Sequence, residues 1–97
     1  MVEHYALGRR ARRLVFDTVP DLWPELAERI RGSARLEVSL DGVEAADSAA
    51  LALLLEGLAL ARRQGCVLQY TDLPAGLLDL ARMSNVAHLL TGEEGAS

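Results

Sequence analysis

Residues 43–65 decide the fold: Val43-Glu44-Ala45-Ala46-Asp47-Ser48-Ala49-Ala50-Leu51-Ala52-Leu53-Leu54-Leu55-Glu56-Gly57-Leu58-Ala59-Leu60-Ala61-Arg62-Arg63-Gln64-Gly65. The stretch opens with small and polar residues and becomes a run of leucine and alanine, two of the strongest helix formers. Asp47 and Ser48 are both good N-cap types, because a short side-chain oxygen can accept from free backbone N–H groups one turn ahead. Gly65 stands where a helix closes in the left-handed conformation, and Arg62 and Arg63 fall in the last turn, at the negative end of the dipole. The pattern predicts a helix over Ser48–Gln64.

The faces of this helix carry a further expectation. Leu51, Leu54, Leu55, Leu58 and Ala61 follow helical spacing and make a core stripe. At about 100° per residue, Ala49, Leu53 and Leu60 fall nearly opposite, with Glu56 and Gly57 beside them. A helix apolar on two sides is buried on two sides, in a larger domain or against a partner. A chain of 97 residues leaves little room for a second internal layer. The second stripe is therefore assigned to a partner, and Leu53 and Leu60 are expected on the outer surface.

Composition limits the function classes. The net charge of −4 speaks against bulk nucleic-acid binding, which neutralises phosphates with Lys and Arg. All ten basic side chains are Arg. A single cysteine, Cys66, leaves no internal disulfide and fits a reducing compartment. The longest apolar run, Ala49 to Leu55, is too short to span a bilayer, and no signal peptide is read at the start. These features imply a cytoplasmic chain with no direct membrane insertion.

Along the chain, residues 2–7 predict a short strand, Gly8 a turn, and Arg9–Arg13 a solvated hairpin turn, with Leu14–Asp17 continuing as a strand. Thr18–Gly32 predicts a helix with the stripe Leu22, Leu26, Ala27 and Ile30 and with Trp23 at the core edge. Arg35–Leu40 alternates, with Leu36, Val38 and Leu40 on one face, and Asp41-Gly42 ends it. Cys66–Thr71 reads as a second such strand, so strand, central helix and strand form a parallel βαβ unit. Asp72 and Pro74 start a last helix, Ser84-Asn85 breaks it, and Val86, Leu89 and Leu90 dock a terminal turn. Residues 91–97 read as a polar tail behind a core of about residues 5–90. The whole predicts one α/β domain, a mixed β-sheet with helices mainly on one face.

No catalytic constellation stands out. His4 and His88 lack ligand spacing with Cys66 or with a carboxylate pair. Phosphate loops, the G-x-S-x-G elbow and a dinucleotide fingerprint are missing. The expectation is a non-enzymatic chain with no cofactor and no metal.

The motif from Val38 to Leu55 resembles that of the STAS domain, the family of sulfate transporters and anti-sigma factor antagonists. It comprises a strand, the Asp41-Gly42 turn, small residues, Asp47-Ser48, the small pair Ala49-Ala50, and Leu51-Ala52-Leu53-Leu54-Leu55. The element order over about residues 5–90 is similar too. The Leu51–Leu55 and Ala59–Gly65 segments, with Leu73-Pro74 before the last helix, look most like the MlaB type. Family members usually carry a glycine after the Asp-Ser/Thr pair, and here alanine replaces it, removing the most permissive backbone position. The resemblance implies a cytoplasmic adaptor, peripheral to the inner membrane, bound to the ATPase subunit of a phospholipid ABC transporter. The partner-binding residues would be Asp47, Ser48, Ala49, Ala50, Leu53, Glu56, Gly57 and Leu60. Two alternatives stand beside it. One is an anti-sigma factor antagonist, with Ser48 the phosphorylated serine and a kinase-like anti-sigma factor the partner. The other is a domain that dimerises through Leu53 and Leu60 and uses Ser48 as a cap.

Overall fold

A computed structural model describes residues 1–91. The elements in chain order are β1 (Glu3–Ala6), α1 (Leu7–Arg10), β2 (Arg13–Leu14), α2 (Val19–Arg31), β3 (Arg35–Ser39), β4 (Ala45–Ala46), α3 (Ser48–Gln64), β5 (Val67–Thr71), α4 (Ala75–Met83) and α5 (Ala87–Thr91). β1, β3 and β5 form a three-stranded sheet with β3 central, and β2 pairs with β4 as a separate two-stranded unit. The α/β class and the β3–α3–β5 unit agree with the sequence reading. Every described ladder is parallel, so the pairing is more uniform than a mixed sheet. The reason lies at residues 7–14, where a hairpin was expected. Leu7 and Gly8 are buried in α1, with Gly8 against the carbonyl of Asp41, and this short helix carries the chain across instead of turning it back.

The strand expected at Leu14–Asp17 stops at Leu14. Thr18 folds the next residues into a turn: its hydroxyl donates to the Arg13 carbonyl at 2.6 Å and accepts from the Val15 N–H at 3.0 Å. A threonine side chain that satisfies local backbone groups competes directly with a strand ladder. α2 follows, ending at Gly32 as expected, with Pro20 in its first turn and Pro24 inside it. The Arg10 guanidinium ties α1 to α2 by donating to both Glu25 carboxylate oxygens, at 3.0 and 3.1 Å. The same guanidinium holds the Glu25 carboxyl below its usual range.

The sheet has one dry face and one wet one. Tyr5, Val38 and Tyr70 lie side by side in register and are buried, as is Leu36. On the other face, His4, Glu37 and Gln69 align in register and remain partly or fully exposed. Two helices lie side by side over the dry face. The Arg29 guanidinium of α2 stands 4.9 Å over the Tyr5 ring on β1, while the Tyr70 hydroxyl on β5 donates to the Leu54 carbonyl of α3 at 2.7 Å.

Gly57 marks where these layers meet most closely. A Cβ there would collide with the Tyr70 hydroxyl and would stand 3.4 Å from Leu26 Cδ2 and 3.6 Å from Ile30 Cδ1. The tyrosine below is what reserves this position for glycine, while α2 alongside would meet a methyl at ordinary contact distance. α3 closes at Gly65 in the left-handed conformation, φ 72°, and Asn85 takes the same region at the break before α5. The tail expected from residue 91 lies, from residue 92 on, outside the described residues.

Candidate partner-docking face

The second apolar stripe of α3 is not a surface. Leu53 and Leu60 are 2% and 3% exposed, Ala50 is fully buried, and Gly57 is buried too. Leu53 and Leu60 lie on the Gly57 face of the helix, and that face is covered by Leu26 and Ile30 of α2. The expectation that these four residues meet a partner is therefore corrected. The alternative dimer through Leu53 and Leu60 falls with it. A neighbouring helix in the same layer supplies the second wall, so neither a second internal layer nor a partner is needed to bury it. Complete burial of a Leu side chain is favourable by about 1.5–3 kcal/mol, which suffices to recruit both stripes into one core.

The exposed face of α3 runs along the bisector of the two stripes, through Ser48, Ala52, Glu56 and Ala59, with Ala49 and Leu55 half-buried at its sides. Its start is built by Asp47. One carboxylate oxygen accepts from the Ala49 N–H at 2.8 Å, the N-cap bond, and the other accepts from the Phe16 N–H at 3.2 Å. The Asp47 N–H donates to the Leu14 carbonyl at 3.2 Å. Asp47 therefore fixes the first turn of α3 and the turn after β2 together. Ser48, the next residue, is relieved of capping, lies exposed, and its side chain makes no hydrogen bond among the described residues. Ala49 and Ala50 meet different needs: Ala50 faces the core and Ala49 the rim.

Three features of this face escape a reading by stripes. Phe16, expected in a strand, is 78% exposed in the turn that Asp47 holds. Ala52 and Ala59 occupy the middle of the open face, where a polar residue is usual. Trp23, half-buried on α2, forms with Ala52, Leu53 and Glu56 a cleft of about 210 Å³ between the two helices. On the opposite flank, a broader groove of about 580 Å³ runs between α3, β5 and α5, lined by residues including Leu55, Ala59, Leu68 and Leu89. Alanines alternating with leucines along one helix were the available signal for Ala52 and Ala59.

The hydroxyl and thiol groups that burial perturbs lie in the core rather than on this face. Burial pushes Tyr5 up to about 12, raises Tyr70 further, and raises the Cys66 thiol, all within the core cluster. Among the described residues no three His, Cys, Asp or Glu side chains are placed to hold a metal ion, and no helix is long and apolar enough to cross a membrane. What the face offers is shape: a shallow strip of small side chains with aromatic rings beside its first two turns. Comparison with curated proteins returned no match. The family model described as the MlaB STAS domain matches residues 11–91, a span running from the end of α1 to the end of α5, and the chain thus belongs to the MlaB-type STAS family.

Proposed function

We propose that the protein is a non-catalytic adaptor that docks, through the exposed face of α3, on the ATPase subunit of a phospholipid ABC transporter of the Mla type. The observation that carries this reading is the division of labour at the helix start. Asp47 does the capping, and Ser48 is left exposed and unengaged at the head of a strip made of Ala49, Ala52 and Ala59. Small side chains allow a partner's backbone to approach closely, and an unengaged hydroxyl there can bond to it. The family supports the choice of partner class. In this reading the chain lies in the cytoplasm, held at the inner membrane through its partner. Its role is to support the ATPase subunit and so the transport that maintains lipid asymmetry.

Co-expression with the ATPase subunit of the same organism's phospholipid transporter tests the proposal. A stoichiometric complex surviving size exclusion supports it, and two separate peaks at micromolar concentrations refute it. The anti-sigma factor antagonist remains the second reading, because the same exposure of Ser48 suits a kinase. ATP-dependent phosphorylation of Ser48 by a co-encoded anti-sigma factor, with no binding to the ATPase, would decide for it.

A further inference from the structure

The cleft between α2 and α3 has a floor and a rim of different character. Leu53 and Ala52 form the floor, the Trp23 ring forms one wall, and Glu56 stands at the edge. It is open because Ala52 is short where it faces a tryptophan. Neither the Glu56 carboxylate nor the Trp23 indole N–H has a hydrogen-bond or ion-pair partner among the described residues. Glu25, Glu44 and Asp79 each face an arginine, whereas Glu56, like the exposed Asp21 and Glu28, meets none among the described residues.

An apolar partner surface laid across this cleft would strip water from Glu56 with no countercharge, and burying an unpaired carboxylate is strongly unfavourable. A partner that covers the cleft must therefore bring a cation to its edge. From this charge complementarity we infer that the Trp23–Glu56 cleft is a socket for a protein segment that places one aliphatic side chain against Trp23 and Ala52. The same segment sets an arginine or lysine, one helical turn away, against Glu56. The inference rests on the docking reading above and names the chemistry the ATPase subunit must present. A volume of about 210 Å³ admits one large side chain, so the socket fixes register while the alanine strip supplies area.

The test is calorimetric titration of the full chain with the purified ATPase subunit at low and high salt, using wild type, Ala52→Leu, Glu56→Gln, Glu56→Arg and Ser48→Glu. Leucine at 52 keeps helix propensity and fills the cleft; the Glu56 changes lie on an exposed helical position. Ala52→Leu and Glu56→Arg are expected to weaken binding at least tenfold with unchanged melting temperature. Glu56→Gln is expected to weaken it less and to flatten its salt dependence. Wild-type affinity of Ala52→Leu and Glu56→Arg, alongside loss for Ser48→Glu, overturns the socket and leaves the docking face standing. Wild-type affinity of all the variants overturns both. If sedimentation shows that the isolated chain self-associates and that Ala52→Leu abolishes this, the occupant is a second copy, and the inference fails.

Discussion

Replacing Gly57 by alanine should destabilise the domain even though alanine is the better helix former. The new methyl collides with the Tyr70 hydroxyl, which is buried and donates to the Leu54 carbonyl at 2.7 Å. Overpacking a filled core typically costs about 1–3 kcal/mol. Displacing the hydroxyl from its acceptor adds about 1–3 kcal/mol for an unsatisfied buried group. Helix propensity returns about 1 kcal/mol, so the net expectation is a loss of about 1–5 kcal/mol. The collision is with one oxygen, the Tyr70 hydroxyl. Tyr70→Phe alone loses about 1 kcal/mol of hydrogen bond, but in the Gly57→Ala background it removes the obstacle. The double variant should therefore be more stable than Gly57→Ala, with a coupling of at least about 1 kcal/mol. Urea unfolding followed by circular dichroism measures all four proteins. Strictly additive losses would falsify the close contact of α3 with Tyr70.

Leu53→Ala and Leu60→Ala, both inside the α2–α3 seam, should each destabilise the isolated domain by about 2–5 kcal/mol; a wild-type urea midpoint would return these leucines to the surface. Asp47→Ala should cost about 0.5–2 kcal/mol for the cap and should release the Phe16 N–H, seen as faster hydrogen exchange at Phe16 and Ala49, whereas Ser48→Ala should leave stability unchanged because Ser48 is not the cap. Stability should also fall at high pH: native Tyr5 keeps its proton up to about 12, while the unfolded chain loses it near the ordinary value of about 10. The native state then binds more protons, so this contribution is whole below about pH 10 and is lost on the way to 12. Tyr5→Phe should shrink the loss of urea midpoint across that window, leaving the part due to Tyr70, and an unchanged loss contradicts it.

Local signals were legible wherever one element's own sequence determined the outcome. The central helix runs Ser48–Gln64 as its capping residues and Gly65 require, and the alternation at Leu36, Val38 and Leu40 marks the buried side of β3. The outcome at residues 7–17 was not legible, because it depends on Gly8 packing against Asp41 and on Thr18 bonding to Arg13. Four of the expected docking residues, Ala50, Leu53, Gly57 and Leu60, lie in the core for a related reason. Periodicity shows that α3 is apolar on two sides, but which body covers the second side is a tertiary fact. α2 covers it, at Leu26 and Ile30. That shifts the open face from Leu53 and Leu60 to Ala52 and Ala59, and of the expected residues it keeps Asp47, Ser48, Ala49 and Glu56.

In the proposed complex the head of this face, opened by Ser48, docks on the ATPase subunit. The direct measurement is the affinity of Ser48→Glu for that purified subunit, paired with its melting temperature. A negative charge at a helix N-terminus suits the dipole, so the variant should fold with wild-type or higher stability. Covered by a partner, the same charge must lose its water or find an arginine. The prediction is binding at least tenfold weaker, a penalty of about 1.4 kcal/mol or more. Binding as tight as wild type, by a variant equally stable, would contradict this docking and remove the start of α3 from the interface.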